Sequence, residues 1–386
     1  MSRKIHVALV GGQAMPVYLG ILESHADEVI LLHSKESKPQ ADKIMAGVYK
    51  MNNKSGYCQL TSFPSVDYLG IVEALRSFLS YYAEDQVEVN LSSGTKAWTI
   101  AFSELAHDYS NLTLCYIDQN CFLYNCTNKT KREITLPSGI ATIMSYNNQR
   151  VLSKVLESDY TAQDYDVLEG IEQARMFSQT EFNELTIPVK ANKKKYEEGK
   201  NTVKYGDAAI EWDKTKGDGS YVNLKMVDGE GGQRSTFRFT SRHSFNLVIN
   251  SGWFEYKVAK LLSGWSRAQE IWMNVVFPYK PYGKDGIRKS KNEIDIIVHT
   301  GKKLLFVECK TSVFDKTDID KFAAAVKNYG GMGSKALFIT GAKLYPEVHE
   351  KCKTNCILAF SLYDNHNSAD KLYGVLEKEL FNINTR

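Results

Sequence analysis

Residues 292–310 read NEIDIIVHTGKKLLFVECK, two nearly pure apolar runs joined by a tight turn that contains Gly301. Alternate side chains of a strand point to the same face, so Glu308 and Lys310 share one face and Asp295 can meet them across the pairing. Charges that interrupt buried strands are costly unless they are paired or bind a metal ion. The stretch therefore predicts a hairpin at whose end two carboxylates and a lysine converge.

A third carboxylate precedes this hairpin. The stretch Phe245–Ser263 has helical apolar spacing, and it carries Glu255 between aromatic residues. Hard oxygen ligands select Mg²⁺ or Mn²⁺, and such an ion polarises a phosphate and makes hydroxide from water. We therefore predict Asp295, Glu308 and Glu255 as metal ligands, and the same three with Lys310 as catalytic residues. The alternative is a hairpin salt bridge between Lys310 and the acids.

Basic residues are concentrated around the same hairpin. The segment from Trp265 to Lys343 contains 14 Lys and Arg residues against 8 Asp and Glu residues, although the whole chain has a net charge of only +3. A solvated loop would look similar, but tyrosines are interleaved with the cations, which suits phosphate contacts and base stacking. The predicted nucleic-acid contacts just upstream of Asp295 are Lys280, Lys284, Arg288, Lys289 and Lys291.

The N-terminal part alternates strand and helix signals, with apolar runs such as IHVALV, EVILLH, QVEVNL and LTLCYI. This rhythm predicts a parallel sheet covered by helices, which places ligands beyond the carboxyl ends of its strands. Two loops fall at such ends, and neither has a nucleotide-binding fingerprint of the Walker or dinucleotide type. The loop residues are Gly11, Gly12 and Gln13 in the first, and Ser92, Ser93, Gly94, Thr95 and Lys96 in the second.

These loops favour a phosphate-bearing ligand. Glycines permit close backbone approach, and the amides that begin a helix attract anions. The second loop adds the hydroxyls of Ser92, Ser93 and Thr95 and the charge of Lys96. Two tight turns that merely cap helices are the alternative.

The organisation along the chain is α/β throughout. We predict a Rossmann-like domain over residues 1–145, a helical connector and β-rich middle segment over 146–239, and a second α/β/α unit over 240–386. The middle segment is expected to be β-rich from Leu185 onward. The seven scattered cysteines suit reduced thiols, and without a signal peptide or a long apolar run the expected location is the cytoplasm.

The two motifs resemble known families. Asp295, Glu308 and Lys310 resemble the PD-(D/E)xK nuclease motif, with Ile294 where many members have proline, and Glu255 resembles the helix glutamate of that superfamily. The loops resemble the ligand loops of CARF domains, the CRISPR-associated Rossmann fold. Together the resemblances cover about 1–145 and 240–386. They imply a restriction-endonuclease-like C-terminal domain behind an N-terminal CARF domain.

The joined resemblance implies a homodimeric ancillary effector of type III CRISPR defence. Cyclic tetra-adenylate would bind between two CARF domains and activate metal-dependent cleavage of single-stranded DNA and RNA, with nicking of duplex DNA as a further activity. Two other functions stay open at this point. One is a ligand-independent restriction or repair nuclease, and the other is a CARF-type nucleic-acid-binding regulator with an inactive nuclease fold.

Overall fold

The chain divides into two compact units in the computed structural model. It describes all residues except 1, 53–57, 135–138, 148, 193–198, 228–231, 279–289, 302, 312–315, 332 and 382–386, and it omits the side chains of 50–52, 290, 291 and 316. The first unit comprises Met1–Val151, His299–Phe306 and Lys321–Lys335. The second comprises Leu152–Val298, Val307–Asp320 and Ala336–Arg386.

Five parallel strands form the centre of the first unit. They are β1 (Lys4–Leu9), β2 (Glu28–His33), β3 (Cys58–Ser62), β4 (Gln86–Asn90) and β5 (Leu112–Ile117). Four helices alternate with them, α1 (Met15–Ser24), α2 (Lys38–Asn52), α3 (Tyr68–Tyr81) and α4 (Lys96–Leu105). Two antiparallel strands, β6 (Phe122–Asn125) and β7 (Thr130–Glu133), extend the sheet, and α5 (Ile140–Tyr146) follows.

The sheet order is β3-β2-β1-β4-β5-β6-β7. All six residues of β2, and all but the first of β1, are buried, as expected for strands covered on both faces. The strand that follows β1 in the chain, β2, pairs with one edge of β1, whereas β4 pairs with its other edge. A crevice therefore opens beyond the carboxyl ends of β1 and β4, which is where doubly wound sheets bind ligands.

The second unit contains a small antiparallel sheet backed by helices. Helices α6 (Ala162–Phe177) and α7 (Gln179–Ala191) precede the strands β9 (Lys200–Tyr205), β10 (Ala208–Asp213), β11 (Tyr221–Val227) and β12 (Arg234–Thr240). Alternate residues such as Ile210, Trp212, Val222 and Leu224 are fully buried. The predicted β-rich segment therefore exists, and its apolar face packs on the helices.

The other sheet has six strands in the order β17-β16-β15-β14-β13-β8. They are β8 (Ser153–Leu156), β13 (Glu270–Pro278), β14 (Ser290–His299), β15 (Leu304–Lys310), β16 (Lys335–Thr340) and β17 (Ile357–Ser361). The accompanying helices are α8 (Ser244–Ile249), α9 (Gly252–Ser263), α10 (Lys316–Tyr329), α11 (Pro346–Thr354) and α12 (Ala369–Phe381).

The structure corrects three local expectations. The stretch Phe245–Ser263 is not one helix, because the first helix ends at Ile249 and Ser251, with φ +65°, precedes the start of the next at Gly252. Residues from Leu185 onward are not yet β-rich, since α7 continues through Pro188 to Ala191 with Leu185 and Val189 buried. Residues 153–156 of the connector form a strand that pairs antiparallel with β13. In each case tertiary packing overrides the local signal.

The cysteines and the helices show no disulfide bond and no membrane-spanning segment among the described residues. All seven cysteines are free, and five of them are buried. Among the helices that the structure describes, none is long and apolar enough to cross a membrane.

Candidate functional site

The predicted acid-rich motif lies on β14 and β15. A turn joins the two strands, in which the backbone N–H of Thr300 donates to the carbonyl oxygen of Lys303 at 3.0 Å. Oδ2 of Asp295 accepts a hydrogen bond from the backbone N–H of Cys309 at 2.7 Å. The Asp295 carboxylate therefore lies against the backbone between Glu308 and Lys310. Burial, together with the charges of Glu308 and Glu255, raises the pKa of Asp295 well above its ordinary value.

Glu308 and Lys310 form an ion pair across one residue. Nζ of Lys310 lies 2.7 Å from Oε1 of Glu308, and their side chains are 31% and 15% exposed. Burial raises the pKa of Glu308, although Lys310 opposes the shift. Burial alone would lower the pKa of Lys310, but the pairing with Glu308 outweighs it, and the pKa is raised. Lys310 is therefore held as a cation beside the carboxylates.

Glu255 reaches the same cluster from α9. Burial raises its pKa to about 7, and the neighbouring charges of Glu293 and Glu308 act in the same direction. A hydrogen bond opposes this shift, because Nδ2 of Asn274 donates to Oε2 of Glu255 at 2.6 Å. The structure thus brings together the four predicted catalytic residues, since Glu308, Glu255 and Lys310 all act electrostatically on Asp295.

The donor set suits a hard divalent cation. Within the described part of the chain, no three His, Cys, Asp or Glu side chains are arranged to hold one ion. In this structure Asp295, Glu308 and Glu255 each accept a hydrogen bond or ion pair from a neighbouring protein group. Mg²⁺ in phosphoryl-transfer sites usually takes one or two carboxylates and fills its shell with water and phosphate oxygens. Buried carboxylates that raise one another's pKa fit such an ion, since a cation relieves their repulsion.

Two residues at this cluster were not predicted from the sequence. Asn274, on β13, has φ +48°, and it stands at the irregularity where the pairing with β8 shifts between Met273 and Val276. Lys190, near the end of α7, donates from Nζ to Oγ of Ser251 at 3.1 Å, and its charge lowers the pKa of Glu255. Neither residue carries a motif, so no pattern in the sequence would have identified it.

The two predicted ligand loops of the first unit touch each other. They follow β1 and β4, which are neighbours in the sheet. The backbone N–H of Gly11 donates to Oγ of Ser93 at 3.0 Å. A Cβ atom at Gly11 would lie 2.7 Å from the backbone nitrogen of Gly94, so only glycine permits this approach. Gly12 and Gln13, the next residues, are exposed.

In the second loop the hydroxyl groups of Ser92 and Thr95 bond to the backbone, whereas the side chain of Lys96 is exposed to solvent. Oγ of Ser92 accepts from the backbone N–H of Ile117 at 2.7 Å, so this hydroxyl holds the loop against β5. Oγ1 of Thr95 accepts from the backbone N–H of Trp98 and caps α4. Gly94 has φ +86° and packs against Leu9. Lys96, the first residue of α4, is exposed at the crevice between β1 and β4.

The side chains of the predicted nucleic-acid contacts lie outside the part of the chain that the structure describes. Lys280, Lys284, Arg288 and Lys289 lie outside the described residues, and so does the side chain of Lys291.

Comparison with known proteins bears on the first unit most directly. Residues 5–146 match the family model described as the Card1 CARF domain. This part of the chain is a CARF domain. It contains both predicted ligand loops and the crevice between β1 and β4.

Two solved structures share the fold over nearly the whole chain. Can2 from Sulfobacillus thermosulfidooxidans, solved in complex with cyclic tetra-adenylate, is 17% identical with a TM-score of 0.66, over 98% of this chain and 99% of that chain. Protein VC1899 from Vibrio cholerae is 14% identical with a TM-score of 0.71, over 96% of this chain and 98% of that chain. No curated protein matches the chain in sequence. The predicted fold class, a Rossmann-like CARF sheet followed by further α/β structure, is thus confirmed.

Proposed function

We propose that this chain is a metal-dependent endonuclease activated by cyclic tetra-adenylate, acting in type III CRISPR antiviral defence. Its substrates are single-stranded DNA and RNA, with nicking of duplex DNA as a further activity. The observation that carries the proposal is the convergence of Asp295, Glu308, Lys310 and Glu255 in a chain that also has a CARF domain. A buried group of carboxylates can hold the divalent ion that polarises a phosphate and makes hydroxide from water, and the lysine adds a cation beside it.

The carboxylates of Asp295 and Glu308, supplemented by Glu255, would hold Mg²⁺ or Mn²⁺. The bound ion supplies polarisation of the scissile phosphate and acidification of water. Lys310 stays protonated because Glu308 raises its pKa, so its Nζ donates to a phosphate oxygen or orients the attacking water. Its charge stabilises the negative charge that develops on the phosphate in the transition state. Glu255, with a pKa of about 7, is half ionised near neutral pH until a cation lowers that pKa.

The activator site follows from the two loops. The residues concerned are Gly11, Gly12, Gln13, Ser92, Ser93, Gly94, Thr95 and Lys96. Gly11 allows the loops to touch, and Lys96 offers a cation to phosphates at the start of α4. The fold shared with Can2, which was solved with cyclic tetra-adenylate, supports this ligand.

The assembly that we propose is a homodimer formed by the CARF domains. Ile100 lies one turn after Lys96 on α4, so the two side chains share a helix face. Ile100 is 57% exposed, and Leu69 on the adjacent helix α3 is 78% exposed. Apolar side chains exposed beside a ligand loop suit contact with a second copy, which would complete a two-fold site for a cyclic ligand.

The proposal is tested by cleavage of labelled single-stranded DNA and RNA with Mn²⁺, with and without cyclic tetra-adenylate. Glu308→Ala is the matched control. We expect cleavage only when both metal and activator are present, and none with Glu308→Ala. Cleavage that ignores the activator would instead indicate a ligand-independent nuclease. Metal-independent binding of nucleic acid without any cleavage would indicate a regulator with an inactive nuclease fold.

A further inference from the structure

A polar cavity of about 610 Å³ lies within the first unit, next to the first ligand loop. Gly12, Gln13 and Pro16 form one part of its wall, where β1 leads into α1. Lys327 and Asn328, near the carboxyl end of α10, form another part. The volume is in the range of about 300–1,000 Å³ that is typical of small-molecule sites.

Specific contacts hold the second part of this wall in place. Nε2 of Gln149 donates to the carbonyl oxygen of Asn328 at 2.7 Å, and Nδ2 of Asn147 donates to that of Gly330 at 3.0 Å. Gly333 has φ +71°, and a Cβ atom there would clash with the carbonyl oxygen of Gln119. The end of α10 and the turn after it are therefore fitted closely to the residues that follow β5 and α5.

The lining has the chemistry of an adenine-nucleotide site. Carboxamide side chains dominate it, and they can pair in two-pronged fashion with the amino group and ring nitrogen of adenine. The lining carboxamides are Gln13, Gln40, Gln119 and Asn328, together with Asn147 and Gln149, whose amide groups donate to backbone carbonyl oxygens. Among the described residues that line the cavity none is acidic, and Lys327 is a cation.

Lys327 is available to a ligand. Its side chain is exposed, and within the described part of the chain no carboxylate pairs with it. A lysine that faces carboxamides without a carboxylate partner is suited to bind a phosphate oxygen, since charge-assisted hydrogen bonds are stronger than neutral ones. The first ligand loop, which contacts the second at Gly11, stands at the same cavity.

We propose that this cavity binds an adenylate unit of the activator and that Lys327 contacts one of its phosphates. The inference rests on the proposed function, and it extends the activator site from the CARF loops to helix α10. That helix carries Lys327 in its last turn and Asp318 in its first turn. Asp318 acts electrostatically on both Glu308 and Lys310. A ligand that contacts Lys327 therefore contacts the helix that also carries Asp318.

The test measures binding of cyclic tetra-adenylate to the full chain by calorimetry, in the wild type and in Lys327→Ala. We expect affinity to fall about 10- to 100-fold, the range of one hydrogen bond to a charged group. Lys327→Glu should weaken binding further, and Lys327→Arg should retain most of it. Lys321→Ala removes the same charge from the same helix outside the cavity lining, and it should bind as the wild type does. The activator concentration for half-maximal cleavage should rise by the same factor in Lys327→Ala.

Two outcomes would overturn the inference, and they are distinguishable. If the wild type binds cyclic tetra-adenylate and Lys327→Ala binds it equally well, the extended site is wrong while the proposed activator stands. If the wild type does not bind cyclic tetra-adenylate at all, the proposed activator and this inference are both wrong.

Discussion

The side-chain Nδ2 of Asn274 donates a hydrogen bond of 2.6 Å to Oε2 of Glu255, and the backbone of Asn274 is left-handed, with φ +48°. The left-handed conformation interrupts β13 where its pairing with β8 changes register. Asparagine tolerates this conformation better than most residues, and its short side chain carries the amide to the carboxylate. The irregularity in β13 therefore places the Asn274 amide where it orients the carboxylate of Glu255.

Removal of this amide should weaken metal binding. In Asn274→Gly the left-handed backbone is retained, but Glu255 loses the donor that lowers its pKa. We expect the apparent affinity for Mn²⁺ to fall about 10- to 100-fold, as for other supports of metal ligands. The measurement is a Mn²⁺ titration of cleavage at neutral pH. Asn367→Gly is the control, because Asn367 also has positive φ at 54°. Equal metal affinity in both variants would contradict the role of Asn274.

The metal-free protein should lose stability as pH rises. Glu255 has a raised pKa of about 7, so the folded state binds a proton that the unfolded chain has released above its ordinary value near 4.5. The associated stability is fully present below pH 4.5 and is lost as pH rises through 7. A shift of this size corresponds to about 3 kcal/mol, to which Asp295 and Glu308 add in the same direction.

Thermal denaturation between pH 5 and pH 8, in chelator, measures this effect. We expect the midpoint to fall across the range, Mn²⁺ to restore it at pH 8, and Glu255→Gln to flatten the profile. A midpoint that rises with pH in the chelated protein would be inconsistent with a buried acid cluster.

Loss of Lys310 should affect chemistry more than substrate binding. Lys310→Ala removes a cation held 2.7 Å from Glu308, and we expect kcat to fall about 10²- to 10³-fold with little change in KM. Single-turnover cleavage of a labelled oligonucleotide measures this. Lys343→Ala provides a charge-matched control elsewhere in the second unit. An unchanged kcat would remove Lys310 from the proposed mechanism.

The glycines of the ligand loops should respond differently to alanine. Gly94→Ala imposes a side chain at φ +86°, 2.8 Å from Cβ of Leu9, whereas a Cβ atom at Gly12 meets nothing within 4 Å. We expect Gly94→Ala to destabilise the CARF domain by about 1–3 kcal/mol and to abolish activator binding. Gly12→Ala should leave stability unchanged. Denaturation and calorimetry of both variants check this, and equal stability would contradict the placement of the second loop.

Charged substitutions on the exposed CARF helices should prevent dimer formation. Ile100→Glu and Leu69→Glu place carboxylates on the surface that we propose for the second copy. Light scattering should then report a monomer, and activation by cyclic tetra-adenylate should be lost. Met176→Glu, at a residue 81% exposed in the second unit, should remain dimeric. A wild-type monomer in the presence of activator would exclude the proposed assembly.

The amino-acid sequence determined the parts of this protein that depend on local patterns. Apolar runs separated by loops and helical spacings were sufficient to predict the parallel N-terminal sheet, because buried strands and their alternation are written in consecutive residues. The approach of Asp295 to Glu308 and Lys310 was also predictable, since a short turn around Gly301 fixes which residues of the two strands face each other, although Asp295 lies within β14 and not at its end. The loop after β4 was found in the same way, from its position behind a strand.

Tertiary structure alone decided the rest. The helix that passes Pro188, the break at Ser251 and the strand β8 all depend on packing partners that lie far away in the chain. Asn274 and Lys190 reach the acid cluster only because separate elements fold beside α9. The position of Lys327 opposite the first ligand loop likewise joins residues about 300 positions apart in sequence. Short-range periodicity carries no information on such contacts, since they are selected by the burial of apolar surface and the satisfaction of polar groups in the folded chain.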